Sequence, residues 1–423
     1  MPDAGAYAPL VVRTTELTST SSGSLLDLLP SDEPVAWVRR GEGLVGWGVA
    51  AQVRTSGPDR FEAAEAWWRE ALSGAAVRDE VGVPGSGLVA FGSFGFADDP
   101  GDSVLVVPKV VVGQRRQAGR MRRWVTVVGS GQLPPAELPV ASSPPVAPRG
   151  LRYADGALDG AQWAAAVEEA VRRIGAGGLE KVVLARDLIA QAEAPVDVRW
   201  PLQRLASSYS GCWTYHVDGL VGATPEMLVR RERGLVTSRV LAGTIRRTGD
   251  DQHDLALAGA LARSSKDLEE HEYAVRSVAE ALAPHCSSMN VPEAPFVLHL
   301  PNVMHLATDV TGVLDAPSAE GTGALSLAAS LHPSAAVGGT PTTEALAAIT
   351  ELEQMPRGRY AGPVGWIDAA GDGEWGLALR CGQVAGDRVR LFAGCGIVAG
   401  SQAEAELAEA QAKLVPVRDA LSG

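Results

Sequence analysis

A lysine stands inside a stretch that otherwise reads as a buried strand. Lys181 lies in Glu180-Lys181-Val182-Val183-Leu184-Ala185-Arg186, a β-branched run of the kind that fills a sheet interior. Burying an ammonium without a partner is costly. Desolvation also lowers its pKa, so that a buried lysine can act as a base near neutral pH. Taken alone, an edge lysine snorkelling to water is the commoner explanation. The rest of the chain reverses that preference.

A second charged pattern lies at 401–413. Ser401-Gln402-Ala403-Glu404 has the form of a capping box and predicts a helix from Ser401. Glu406, Glu409 and Lys413 then fall at i, i+3 and i+7, on one face within about 60°. Leu407, Leu414 and Leu421 form the opposing apolar stripe. Spacing alone fits a solvated face with a Glu409–Lys413 ion pair equally well. A longer helix is predicted from Asp254 to Ala283. Leu268, Val275, Val278, Ala279 and Leu282 make its inward stripe, and Lys266, Glu270, Tyr273 and Ser277 lie away from it. If that second face meets the last helix, Glu270 becomes a candidate magnesium ligand, since magnesium takes hard oxygen donors and few protein carboxylates.

Gly394-Cys395-Gly396-Ile397-Val398-Ala399-Gly400 invites a dinucleotide-binding reading. Its third glycine is one place late for G-x-G-x-x-G. A glycine-rich turn whose N–H groups meet a carboxylate is the better expectation. Neither H-E-x-x-H nor a Gly-x-Ser-x-Gly elbow around a plausible nucleophile is present.

The elements that must position these groups are legible in outline. Phe61 to Leu72 has helical spacing, as does Asp159 to Ile174. Strands are predicted at Leu88–Gly92, Val104–Val112, Arg122–Val128, Gly362–Asp368, Gly376–Cys381 and Val389–Ala393. Asp218-Gly219 and Arg233-Gly234 each separate two strand-like runs and predict hairpins. Antiparallel hairpins with helices between them point to an α+β fold. Residues 131–150, rich in Pro, Ser and Gly, read as a connection between 1–130 and 151–423.

The 423 residues suffice for a large core, with 46% hydrophobic and 21% charged. A net charge of -13 argues against a nucleic-acid or anionic-membrane binder. Cys212, Cys286, Cys381 and Cys395 show neither metal-ligand nor redox spacing. They are expected to be free thiols in a cytoplasmic protein, with no signal peptide and no membrane span.

Ten segments together resemble the chorismate-utilising enzymes, and among them the isochorismate synthases. They are EKVVLAR (180–186), GATPEMLVR (222–230), AGT (242–244), SKDLEEH (265–271), VMHLATDVTG (303–312), LHPSAAVGGTP (331–341), RGRYAGPVGW (357–366), GLALRC (376–381), AGCGIVAGS (393–401) and EAELAEAQAKL (404–414). They run in the family's order and cover nearly all of 159–421. GLVAFGSFGFADD (87–99) is similar to the family's N-terminal portion.

The resemblance implies an α+β sandwich of two sheets with flanking helices. By resemblance Lys181 is the general base that activates water, and Glu226 the general acid opposite it. Glu270 and Glu406 match Mg²⁺ ligands, with Glu409 acting through water. Gly243, Thr244, His305, Tyr360, Arg380, Gly396 and Lys413 match positions that hold the substrate, chorismate. The implied reaction adds water at ring C2 and expels the C4 hydroxyl, and its product feeds menaquinone or siderophore synthesis. Lys181 and Ala336 stand where the ammonia-using relatives carry other residues, so no glutamine amidotransferase subunit is expected, and a monomer is favoured. The alternatives are a salicylate synthase, which eliminates pyruvate further on, a non-catalytic chorismate-binding relative, and a nucleotide-binding oxidoreductase resting on Gly394–Gly400 alone.

Overall fold

The computed structural model describes residues 9–17, 23–98, 102–117, 119–132 and 143–422. Residues 133–142 of the expected connection, and Asp99 of the segment 87–99, lie outside the described residues.

Two antiparallel ribbons of strands share one long strand, Ser103–Gln117. The first ribbon runs from Arg152–Asp155 through Lys181–Gln191, Arg388–Ile397, Cys381–Ala385, Leu220–Thr224, Trp213–Val217, Pro34–Arg39 and Glu42–Thr55 to the shared strand. The second leaves the shared strand through Val89–Ser93, Pro363–Asp368, Gly373–Leu377, Met227–Glu232 and Leu235–Arg246 to Val303–Leu314. Helices Gly160–Ala176, Thr342–Glu353 and Ala403–Leu421 pack on the first ribbon, and Ser265–Leu282 packs on the second. One apolar core, including Trp163, Tyr215 and Trp375, unites residues from both. This is the α+β architecture with two sheets that the sequence led us to expect. Among the described residues no helix is long and apolar enough to cross a membrane.

Local sequence explains much of this. Asp159 accepts from Gln162 N at 2.8 Å and caps the helix Gly160–Ala176. Both predicted hairpins form, with φ of 50° at Asp218, 80° at Gly219, 51° at Arg233 and 82° at Gly234. Left-handed values at both central residues match the strands' right-handed twist.

Four expectations change. The helix predicted over Asp254–Ala283 is two helices, Asp251–Leu261 and Ser265–Leu282. The first ends in a tight turn, and Ser264 caps the second by accepting from Asp267 N at 3.3 Å. The predicted capping box at Ser401 does not form, and the helix begins at Ala403. Ser401 Oγ instead accepts from Val398 N at 3.2 Å. The strand predicted over Gly376–Cys381 is interrupted, because Arg380 adopts a φ of 48°. Finally, Gly394 to Ile397 is not a turn but the end of the strand Arg388–Ile397, laddered against the Lys181 strand.

Candidate active site

Lys181 opens the strand Lys181–Gln191 and is fully buried, at 0% exposure. The next residue, Val182, is flanked by Gly339 on one side and Ile397 on the other. Lys181 Nζ has no hydrogen-bond partner among the described residues. Glu270 Oε1 lies 3.5 Å away, a loose ion pair rather than a good hydrogen bond. Burial pushes the Lys181 pKa down, and Glu270 and Glu226 oppose the shift only in part.

Glu226 sits just after the bend that joins Leu220–Thr224 to Met227–Glu232, where Thr224 Oγ1 accepts its backbone N–H at 3.2 Å. It is buried, and that burial raises its carboxyl pKa to about 8. Base and acid candidates are therefore displaced toward neutrality from opposite sides.

Thr244 and His305 face each other across the pair Leu235–Arg246 and Val303–Leu314. The register shifts between Ala242 and Thr244, and Gly243, at φ 77°, is the bulged residue. A bulge re-aims the side chain that follows it. Arg380 Nη2 donates to His305 Nε2 at 3.1 Å, so that nitrogen is the acceptor. His305 Nδ1 then carries the proton and donates to Thr244 Oγ1 at 3.1 Å. Burial and the Arg380 charge hold His305 neutral. Tyr360 stacks on Phe392 with ring centroids 5.0 Å apart. Burial raises its phenol pKa, so it remains a donor.

The glycines of the Arg388–Ile397 strand are explained by what approaches them. A Cβ at Gly396 would stand 2.1 Å from Glu270 Oε1 and 3.2 Å from Lys181 Cε. One at Gly394 would stand 2.9 Å from the Tyr360 hydroxyl. Lys413 Nζ donates to Gly394 O at 2.9 Å and pairs with Glu409 Oε1 at 2.5 Å. The Glu409–Lys413 pair thus forms, but on an inward face rather than a solvated one, for Glu406 and Lys413 are both buried.

Glu226, Thr244, Glu270, His305, Ala336, Tyr360, Arg380, Gly396 and Lys413 line one cavity. Lys181 lies just behind its wall, against Gly396 and Glu270, and Gly243 sits beside Thr244. Glu406 and Glu409 stand beyond Lys413 on the last helix. Lys266 Nζ holds Glu406 Oε1 at 2.7 Å and feels Glu270 and Glu409 as well. Ligand atoms of Glu406, Glu409 and Cys395 lie within 4.8 Å of one another. Burial, and then Glu409, raises the Glu406 pKa. Crowded, partly desolvated carboxylates of this kind fit a hard divalent cation, which would relieve their repulsion.

Five contributors were not picked out as site residues from sequence. Lys266 and Cys395 complete the acidic cluster. His271 ties the Glu270 helix to the sheets through Ala242 O at 3.3 Å and Thr308 Oγ1 at 2.7 Å. Glu353 and Arg357 form a buried ion pair, 2.5 Å apart. Where the short strand Gly339–Thr340 ends, this pair takes its place along the Lys181 strand. Glu353 Oε1 accepts from Ala185 N at 2.7 Å, and Arg357 Nη2 donates to Val183 O at 2.7 Å. Arg357 Nη1 also donates to Val337 O at 2.8 Å, next to Ala336. The i,i+4 spacing of Glu353 and Arg357 was visible in the sequence, but their inward direction was not.

Residues 138–422 match the family model described as "Chorismate binding enzyme". The chain belongs to the chorismate-binding enzymes. Within that family it is 41% identical to "Isochorismate synthase DhbC" of Bacillus subtilis over 258 residues, 58% of this chain and 64% of that protein. It is 36% identical to "Isochorismate synthase MenF" of the same organism over 270 residues, 63% of this chain and 56% of that protein. The matches thus span less than two thirds of these relatives. The crystal structure of DhbC from Bacillus anthracis has the same chorismate-binding fold, with a TM-score of 0.77 at 30% identity over 94% of this chain and 98% of that one.

The Glu353–Arg357 pair generates a test of stability. Arg357→Met leaves a buried carboxylate unpaired and is expected to lose about 3–5 kcal/mol in urea unfolding. Glu353→Leu together with Arg357→Met should recover part of this. It should remain below wild type, because the orphaned backbone groups cost about 1–3 kcal/mol each. A single variant within experimental error of wild type would remove the pair's structural role.

Proposed function

We propose that this protein is an isochorismate synthase, which interconverts chorismate and isochorismate by adding water at ring C2 and expelling the C4 hydroxyl. One observation carries the reading. Lys181 is a buried amine without a hydrogen-bond partner among the described residues, and the Glu226 carboxyl, on the same cavity's lining, has its pKa raised to about 8.

Hydroxide is a poor leaving group and water a poor nucleophile, so the reaction needs an acid and a base together. Each is worth roughly 10² to 10⁴ in rate. Neutral Lys181 takes the proton of the attacking water, and protonated Glu226 gives one to the departing C4 oxygen. In the reverse direction the two exchange roles. Arg380 and Lys413 supply fixed positive charge for the substrate's carboxylates, and the Tyr360 hydroxyl and the backbone at Gly396 supply donors. Neutral His305 holds Arg380 and Thr244 in place. Glu270, Glu406 and Glu409 would hold Mg²⁺, which when bound neutralises a substrate carboxylate. Because water is the nucleophile, no amidotransferase subunit is required.

The primary experiment incubates the chain with chorismate and Mg²⁺ and identifies the products by chromatography. Isochorismate is expected. Salicylate with pyruvate would replace this reading by the salicylate synthase one, and unchanged chorismate would overturn both.

The pH dependence follows from the two shifts. Lys181 acts unprotonated, so activity rises as pH climbs through its depressed pKa. Glu226 acts protonated, so activity falls as pH climbs through about 8. The expected profile of kcat/KM is a bell, and Glu226→Gln should lose roughly 10² to 10⁴ of the rate in both directions. A defect confined to one direction at fixed pH would assign Glu226 to binding alone.

Metal binding can be read without activity. At about 100 times its Kd, Mg²⁺ should stabilise the folded chain by about 2.7 kcal/mol. A melting temperature that rises with Mg²⁺ in wild type but not in Glu406→Gln is the expected result. A flat response in wild type would remove the cation from the account.

A further inference from the structure

Of the 37 lysines and arginines in the chain only four are lysines, and three of those four meet at one place. Each faces a carboxylate of its own. Lys181 lies 3.5 Å from Glu270, Lys266 2.7 Å from Glu406, and Lys413 2.5 Å from Glu409. The chain thus supplies one amine for every carboxylate of the acidic cluster.

The three are held differently. Lys181 and Lys413 are both buried. Gly396 lies against the Lys181 stem, and Lys413 also donates to Gly394 O at 2.9 Å. Lys266 keeps 35% of its side chain exposed, while its partner Glu406 keeps 3%. It does not line the cavity that Glu270 and Lys413 share. Lys266 is the second residue of the helix Ser265–Leu282, where a positive charge opposes the helix dipole. Helix formation therefore does not account for it, but the carboxylates do. Partial burial disfavours its charge, yet Glu406, with Glu270 and Glu409 behind it, raises its pKa above the ordinary lysine value.

We propose that Lys266 competes with the divalent cation for Glu406, neutralising that buried carboxylate until Mg²⁺ displaces the ammonium into solvent. The proposal rests on the reading of Glu406 as a metal ligand. Mg²⁺ takes carboxylate oxygens at about 2.0–2.1 Å, and an ammonium bonded to the same oxygen would repel it at short range. One of the two must leave. Glu406 is fixed on the last helix, whereas Lys266 has a flexible stem that already reaches water. Lys266 therefore weakens metal binding and sets its affinity. A lysine that only supported the fold would leave that affinity unchanged, and one that helped to hold the metal's ligands in place would strengthen it.

The test is calorimetric titration of the full chain with MgCl₂ in the absence of chorismate, at a mildly alkaline pH that keeps Glu406 ionised. Lys266→Met should tighten Mg²⁺ binding about tenfold, the scale of a charge-assisted hydrogen bond that no longer has to be broken. Lys266→Arg should weaken it below wild type, because a guanidinium fork grips a carboxylate more firmly. Arg263→Met removes an equal charge from an exposed position three residues upstream and should change the Kd less than twofold. Unchanged or weaker binding in Lys266→Met, or an equal gain in Arg263→Met, would overturn the proposal. If Lys266→Met fails to fold, Lys266→Arg decides, and binding as tight as wild type would overturn it. Binding in Lys266→Met alone, with none in wild type, would support it. Binding in neither would remove the metal ligands and this proposal together, while the acid–base reading would still be judged by its own product analysis.

Discussion

The structure turns on one constraint, an ammonium group held at the edge of a sheet interior with no hydrogen bond to spend its charge on. Lys181 has Gly396 against its stem and Glu270 at 3.5 Å from its tip. Of these two neighbours one is small, and the other is acidic and slightly too far away for a good hydrogen bond. A closer carboxylate would fix the proton on Lys181 and remove its basicity. A fully apolar surround would leave the charged form with no way to be tolerated. The loose pair with Glu270 sits between these limits, and the same logic, inverted, applies to Glu226.

Holding such a group requires a rigid frame. The Lys181 strand is laddered to the Arg388–Ile397 strand along one side, and on the other to Gly339–Thr340 and then to the Glu353–Arg357 pair. That pair also reaches Val337, so the wall carrying Ala336 is tied to the strand that carries Lys181. Gly394 and Gly396 leave room for the Tyr360 hydroxyl and the Glu270 carboxylate above the sheet. The last helix then brings Glu406, Glu409 and Lys413 against the same strand, through Lys413 and Gly394 O.

Sequence disclosed what is local. The hairpin turns at Asp218-Gly219 and Arg233-Gly234 carry their own conformational preference, and Asp159 carries its own cap. Lys181 was conspicuous because its type clashed with its neighbours. What sequence missed depends on distant partners. Gly394–Ile397 looked like a turn because glycine is a turn residue, yet these glycines clear space for side chains from other segments. The break before Ser265 was hidden because helical propensity continues across it. The Ser401 capping box failed because Val398 N claimed the serine oxygen. The proposed acid–base assignments come from resemblance, and the burial of Lys181 and Glu226 is consistent with them.

The chain contains only four lysines, Lys109, Lys181, Lys266 and Lys413. Lysine labelled with ¹³C at Cε would therefore give a short, assignable spectrum, with Lys181→Met identifying its signal. Titration of that signal measures the central claim directly. Lys181 is expected to lose its proton well below the ordinary lysine range of about 10.4, and Glu270→Gln is expected to lower this midpoint further by removing the carboxylate 3.5 Å away. A Lys181 signal that stays protonated up to the ordinary range would contradict the account, because the buried amine would then be a fixed cation and not a base.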